Sequence, residues 1–127
     1  MALKYFLEFN YDESTRSDSA VYIHLRQNPP VYKPQIDKED YDVLPVDQKH
    51  IFLTSIFNIA GVTEVSSRAY RIWLVKSPIY TWEEVVLPVL YYISTFFGES
   101  GIEEIPGSGK PNGSGNTLPS PTQRRKL

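Results

Sequence analysis

Residues 45–65 read PVDQKHIFLTSIFNIAGVTEV, and this stretch predicts a helix that ends at a glycine and passes directly into a strand. Five apolar residues share one helical face: Phe52, Leu53, Ile56, Phe57 and Ala60. A stripe with this spacing packs against a core, and Pro45 suits the first turn because its missing N–H is not needed there. Gly61 is a typical stop, because glycine adopts the left-handed conformation without strain. We therefore predict a helix over Pro45–Ala60 and a strand from Val62.

The residues after this stretch predict two strands and a second helix. Val62–Ser67 and Tyr70–Lys76 are rich in the β-branched and aromatic residues that strands favour. Thr81 and Glu84 have the spacing of a capping box, in which each side chain accepts a hydrogen bond from the other residue's backbone N–H. Pro88 lies too deep for an ideal helix beginning at Thr81, so we expect a kink there and a second helical run from the proline.

The residues before it predict two more strands and a long loop. Leu3–Asn10 and Ala20–Leu25 alternate apolar and polar residues with the period of a strand. Gln27–Pro45 contains four prolines and an acidic cluster, so we expect an extended surface loop. The element order is strand, strand, helix, strand, strand, helix. This order predicts a two-layer α+β fold, in which an antiparallel sheet carries both helices on one face.

The composition changes at Pro106, where Gly, Pro, Ser and Asn replace most apolar residues. Such a segment buries too little apolar area to offset the entropic cost of ordering the chain. We predict a folded domain over residues 1–105 and a disordered tail over residues 106–127. The tail has no acidic residue and four basic ones: Lys110, Arg124, Arg125 and Lys126.

The distribution of charge bears on the kind of partner. Because the acidic residues all precede the tail, the body is acidic, which argues against duplex nucleic acid as its main ligand. The positive charge of the tail is compatible with weak contact with nucleic acid. The first residues lack the pattern of a secretory signal, and no apolar run has the length of a membrane span. We expect a cytoplasmic protein that binds another protein and no membrane.

The residue types exclude several kinds of chemistry. The chain has no cysteine, so it forms no disulfide, thiolate metal site or cysteine-ligated iron–sulfur cluster. His24 and His50 lie on different predicted elements without a second ligand at metal-binding spacing, and we interpret both as surface residues. Residues 107–110, GSGK, lack the spacing of a phosphate-binding loop. We expect no enzyme activity, no metal and no cofactor.

Three motifs between Ile56 and Phe97 follow one another in an order that also occurs in a known protein family. They are Phe57-Asn58-Ile59-Ala60-Gly61-Val62-Thr63-Glu64-Val65, then Ile72, Leu74 and Lys76, then Trp82, Val86, Pro88 and Val89. Together with Leu3-Lys4-Tyr5, this succession resembles the N-terminal domain of Nfu/NifU-like iron–sulfur scaffold proteins. The resemblance covers roughly half of the predicted folded part. It implies the fold of that domain and an accessory or adaptor role in cluster delivery.

The chain also departs from that family. The cluster-binding CxxC motif of these scaffolds belongs to a separate domain and does not occur here, so the resemblance implies no cluster binding. The family's Asn-Pro-Asn lead-in is missing, and Gln27–Pro45 looks like an insertion. Tyr70 and Arg71 stand where the family has Asp-Phe.

These departures suggest where a partner would bind. Long loops on a rigid scaffold often carry function, and tyrosine and arginine contribute strongly to binding at interfaces. The candidate partner-binding residues are Asp37, Glu39, Asp40, Asp42, Tyr70 and Arg71. A solvated, variable surface without a ligand accounts for the same residues.

Two functions agree with the sequence. The first is a non-catalytic adaptor domain, accessory to iron–sulfur cluster assembly or delivery. The alternative is a structural or accessory protein of a virus or mobile element that uses this fold in an assembly.

Overall fold

Alternating side chains divide the second strand of the sheet into an inward and an outward face. Val21, Ile23 and Leu25 are buried, whereas Tyr22 and His24 between them are half-buried, as the two-residue period of a strand requires. The computed structural model describes residues 1–111. These residues form six strands and three α-helices: β1 (Ala2–Asp12), β2 (Ser17–Leu25), β3 (Lys33–Asp37), α1 (Lys38–Asp42), α2 (Ile51–Phe57), β4 (Val62–Arg68), β5 (Arg71–Lys76), α3 (Trp82–Phe96) and β6 (Gly101–Glu104).

The strands form one sheet in the order β3-β4-β5-β2-β1-β6. All neighbours are antiparallel except β1 and β6, which run parallel. The mixed α+β class is confirmed, and the four predicted strands pair antiparallel. The prediction of a purely antiparallel, four-stranded sheet is wrong, because the sheet has six strands and one parallel pair. The sequence of β6 is short and polar, and the strand owes its place to long-range bonds. Ser100 N donates to Met1 O at 2.7 Å, and Lys4 Nζ lies 2.8 Å from Glu103 Oε1.

The proline-rich segment is more ordered than predicted. Instead of an extended loop throughout, it contains β3 and α1. Tyr41 in α1 is buried, and its hydroxyl contacts Thr54 Oγ1 at 2.8 Å and accepts from His50 N at 3.0 Å. This buried tyrosine attaches the segment to α2, which local composition does not reveal.

The helix predicted over Pro45–Ala60 is shorter in the structure. Val46–Gln48 form a single 3-10 turn, and α2 begins at Ile51 because the His50 side chain accepts a hydrogen bond from Phe52 N at 3.1 Å. The cap contributes about 1 kcal/mol by satisfying a backbone donor at the helix start. Gly61 has the predicted positive φ of 94°, but it lies in the turn before β4 rather than at the helix end.

The second predicted helix corresponds to α3, which is one element with Pro88 inside it. The capping box is confirmed: Glu84 N donates to Thr81 Oγ1 at 3.2 Å, and Thr81 N donates to Glu84 Oε1 at 2.9 Å. The buried side chains of α2 and α3 belong to the same hydrophobic cluster as the inward face of the sheet. These two helices and the sheet therefore share one core.

The chain continues along β1 after β6 ends. Ile105 N donates to Tyr5 O at 2.8 Å, and Gly109 N donates to Leu7 O at 2.8 Å. The predicted disordered tail begins at Pro106, so its first residues are held beside the sheet. Residues 112–127 of that tail lie outside the described residues.

Candidate partner-binding face

Two rows of side chains cross the outward face of the sheet. The first row is Phe6, His24, Arg71 and Arg68, on β1, β2, β5 and β4 respectively, and the second is Glu8, Tyr22, Trp73 and Ser66 on the same strands. The side chains that alternate with them on β2 and β5 are buried in the core. We call these two rows the outer face.

Aromatic rings pack against one another on the outer face. The rings of Phe6 and His24 are stacked, with centroids 4.3 Å apart and planes within 9°. The rings of Tyr22 and Trp73 lie 4.5 Å apart at 55°, and His24 Nε2 lies 2.9 Å from Glu8 Oε1. Because an aromatic pair contributes about 0.5–1.5 kcal/mol beyond its area burial, these contacts hold the rings in fixed positions on a face that the core does not cover.

The chain after β6 closes one side of the outer face. Ser108 Oγ accepts from Leu7 N at 2.8 Å. A Cβ atom on Gly107 would lie 3.2 Å from Phe6 Cδ2, so the backbone passes directly against this ring. A partner would therefore reach the outer face from the side of β5 and β4.

Three arginines gather where β2 and β4 end and β5 begins. Arg26 follows β2, Arg68 ends β4 and Arg71 begins β5, and all three are exposed. Arg68 and Arg71 are direct cross-strand partners, a position in which like charges repel. The ion pairs within residues 1–111 involve other side chains, so none of these arginines has a carboxylate partner there. The Arg71 guanidinium instead lies 5.1 Å from the centroid of the Tyr22 ring.

Tyr70 lies beside these arginines in a strained conformation. Its φ is 62°, in the left-handed region, and its side chain is 53% exposed. Its amide donates to Asn28 Oδ1 at 3.1 Å and its carbonyl accepts from Leu25 N at 2.7 Å. Such a conformation costs a non-glycine residue about 1–2 kcal/mol, and strained residues of this kind cluster at functional sites. We call Arg26, Arg68, Tyr70 and Arg71 the arginine end.

The four predicted acidic residues lie together on and just before α1. Asp37 caps this helix by accepting from Asp40 N at 2.8 Å, and Asp42 lies 3.5 Å from Lys38 Nζ. All four side chains are exposed: Asp37, Glu39, Asp40 and Asp42. We call this group the acidic edge, because β3, which leads into α1, pairs only with β4 and forms one edge of the sheet.

The structure does not bring the two predicted parts of the site together. Asp37 is the cross-strand partner of Glu64, near the start of β4, whereas Tyr70 and Arg71 follow its other end at Arg68. Glu64 and Arg68 are four positions apart along β4, a distance of about 13 Å at the usual rise. The acidic edge and the arginine end therefore lie at opposite ends of β4.

The two histidines have structural partners. His24 stacks on Phe6 and pairs with Glu8, and His50 caps α2. Among residues 1–111, no three His, Asp or Glu side chains lie in an arrangement that could hold a metal ion.

A lysine is buried behind the sheet. Lys76 is 2% exposed, and its Nζ lies 5.2 Å from the centroid of the Trp82 ring. Trp82 is itself buried and donates from Nε1 to Asp18 O at 2.8 Å. Burial lowers the pKa of Lys76 below its usual value, because a charged ammonium is poorly solvated there.

The outer face, the arginine end and the acidic edge are the candidate binding surfaces of this chain. No family model, curated protein or solved structure matches it. The resemblance to Nfu/NifU-like N-terminal domains stays a prediction. Within residues 1–111, no helix is both long and apolar enough to cross a membrane.

The sequence identifies Tyr70 and Arg71 as candidate binding residues, but it does not predict which other side chains lie beside them. Local pattern favours core or sheet-face packing for Trp73 and places His24 on the polar face of its strand. The outer face depends on cross-strand register, which joins Tyr22 to Trp73 and Arg71 to Arg68. The run of Arg68, Tyr70 and Arg71 around one predicted hairpin turn is the signal that could have located the arginine end.

Proposed function

We propose that this chain is a non-catalytic protein-interaction domain, an adaptor that binds a partner through the outer face and the arginine end. The observation that carries the proposal is a sheet face with packed aromatic rings, bordered by arginines that have no carboxylate partner within residues 1–111. Tyrosine, tryptophan and arginine are the residues that contribute most to interface energies.

The orientation of the rings favours a protein over single-stranded nucleic acid. Cross-strand neighbours are separated by about 4.5–5.5 Å, close to the 4.3 Å between the Phe6 and His24 rings. These two rings therefore stack along the row and turn their faces toward each other. Arg71 covers one face of the Tyr22 ring. Nucleobases bind by stacking on free ring faces, whereas ring edges and guanidinium groups suit a polypeptide.

The charge distribution supports the same choice. All 15 acidic residues lie within residues 1–111, whereas three of the 13 basic residues, Arg124, Arg125 and Lys126, lie beyond them. A negatively charged domain repels a phosphate backbone over most of its surface. The basic tail remains the proposed point of any weak contact with nucleic acid.

The adaptor role has a narrower form and an alternative. The narrower form, implied by the family resemblance, is an accessory role in iron–sulfur cluster assembly or delivery. The alternative is a structural role in an assembly, such as that of a virus or mobile element. The structural role is supported by two oppositely charged surfaces, which lie at opposite ends of one sheet strand.

Site-specific photocrosslinking tests the docking proposal. A photoreactive phenylalanine analogue replaces Tyr70, which is 53% exposed at the arginine end, or Tyr11, which is 45% exposed near the end of β1. After irradiation in cells, a discrete protein adduct is expected from position 70 and not from position 11. Adducts from both positions, or from neither, would contradict docking at the arginine end.

Affinity measurements with the purified crosslinked partner then test the residues. Arg71→Ala is expected to weaken binding about tenfold or more, because a hot-spot arginine contributes about 2 kcal/mol or more and tenfold corresponds to about 1.4 kcal/mol. Arg16→Ala is the matched control, since Arg16 is exposed in the β1–β2 hairpin, away from the arginine end. Equal affinity of both variants would refute the site. A partner without any role in cluster transfer would refute only the narrower form.

A further inference from the structure

The arginine end and the acidic edge are complementary in charge but cannot meet within one molecule. They lie at opposite ends of β4, which pairs with β3 on one side and with β5 on the other. A rigid sheet keeps them apart, so a second molecule is needed to bring such surfaces into contact.

We propose that the arginine end binds the acidic edge of a second copy of this chain, so that copies associate head to tail. This inference rests on the proposed function, since it uses the same docking surface and names its partner. Each contact joins two different surfaces, and repetition of such a contact builds a ring or an open filament.

Each surface lacks its electrostatic complement. Arg68 and Arg71 face each other across two strands without a carboxylate in residues 1–111, and like charges in that position destabilise a sheet. An anionic partner would remove this repulsion. Glu39 and Asp40 are likewise exposed and take part in no ion pair within residues 1–111.

The dimensions of the two surfaces agree. Neighbouring strands lie about 4.8 Å apart, which sets the spacing between the backbones of Arg68 and Arg71. The five residues of α1 extend over about 7.5 Å at the rise of a helix. Within this helix the backbones of Glu39 and Asp40 are about 3.8 Å apart, a spacing similar to that of the two arginines. Arginine can bind a carboxylate through two parallel hydrogen bonds, which also fixes the orientation.

Each surface also has an exposed apolar residue beside its charges. Tyr70 is 53% exposed at the arginine end, and Val43 is 80% exposed directly after α1. Contact between them would bury apolar area at the centre of the charged contact.

Charge reversal tests the contact with the full chain. Sedimentation velocity compares wild type at protein concentrations up to about 1 mM in about 20 mM and about 500 mM sodium chloride. At low salt, species heavier than the 14.6 kDa monomer are expected. At high salt they should dissociate, because exposed charges are screened.

Two reversed variants and their combination make the test specific. Arg68→Glu with Arg71→Glu reverses the arginine end, and Glu39→Lys with Asp40→Lys reverses the acidic edge. Each pair alone should give a monomer at low salt. An equimolar mixture of the two variants, or all four changes in one chain, should restore association. Arg16→Glu is the control and should associate like wild type, and circular dichroism verifies that every variant is folded.

Several outcomes would overturn the inference. They are a wild-type monomer at low salt, association that survives reversal of the arginine end, and a mixture that stays monomeric. The second outcome would show that the contact between copies does not use the arginine end. If the wild type is monomeric while position 70 still crosslinks to a different protein, the second-copy inference fails and the docking face stands.

Discussion

Replacement of Gly61 by alanine should destabilise the domain more than the same replacement at Gly98 or Gly101. The φ of Gly61 is 94°, so an alanine there loses about 1–2 kcal/mol to backbone strain. A Cβ atom would also lie 2.8 Å from Val85 Cγ2 and 2.9 Å from Tyr80 Cγ, closer than packed carbon atoms approach. Overpacking of this kind costs about 1–3 kcal/mol. The two effects together predict a loss of about 3 kcal/mol.

The other two glycines separate these effects. Gly98 has a φ of 73° with no atom within 4 Å of an added Cβ, so Gly98→Ala measures strain alone. Gly101 has no such φ and equally open surroundings, so Gly101→Ala should be neutral or slightly stabilising. Urea denaturation followed by circular dichroism provides the measurement. With an m-value of about 1.5 kcal/mol/M, Gly61→Ala should lower the midpoint by about 2 M and Gly98→Ala by about 1 M.

Three results would contradict this explanation of the glycines. Equal shifts for Gly61→Ala and Gly98→Ala would show that Val85 and Tyr80 move aside at no cost, which would refute the packing part of the reasoning. A neutral Gly61→Ala would refute the left-handed turn between α2 and β4 as well. A large loss for Gly101→Ala would mean that alanine is harmful for reasons other than strain and packing.

Three further changes are informative. Tyr70→Gly should raise the free energy of unfolding by about 0.5–1 kcal/mol, because relief of the left-handed strain exceeds the entropy cost of glycine; a lower thermal midpoint would show that the ring contributes more to packing than its exposure implies. His50→Ala should lower the free energy of unfolding by about 1 kcal/mol through loss of the α2 cap, whereas His50→Asn should retain most of it; equal losses by urea denaturation would contradict a capping role. Burial lowers the pKa of Lys76 in the folded domain below its ordinary value of 10.5. Between this lowered pKa and the pKa of the unfolded chain, the unfolded chain binds more protons than the folded domain, so the free energy of unfolding rises with pH. Denaturation midpoints of wild type should therefore increase relative to Lys76→Met as pH approaches 10.5, and a constant difference would argue against the shift.

Local signals were predictable from the sequence. Thr81 and Glu84 form the predicted capping box because both partners lie within one helical turn. The alternation in β2 and the positive φ of Gly61 also follow from short-range rules. The predicted start of α2 is wrong because histidine is an uncommon cap, and nothing local distinguishes His50 from an ordinary helical residue.

Features that depend on distant pairing were not predictable. β3 and β6 have weak strand patterns, and each forms because a neighbouring strand supplies hydrogen bonds. The arrangement of the candidate site also depends on pairing between distant strands. Tyr70 and Arg71 were identified by residue type, whereas the stacking of Phe6 on His24 depends on a register that the sequence does not specify. The separation of the acidic edge from the arginine end depends on the same pairing.

The parallel pairing of β1 with β6 affects how the chain can fold during synthesis. Lys4 and Glu103 are 99 positions apart in sequence, so the outer edge of β1 stays unpaired until almost all of the described chain has left the ribosome. Contacts at such separation slow folding, and an open strand edge pairs readily with other chains. A nascent chain that stalls after α3 would expose a β1 edge without its partner. Such stalled chains should depend on chaperones more strongly than the finished domain.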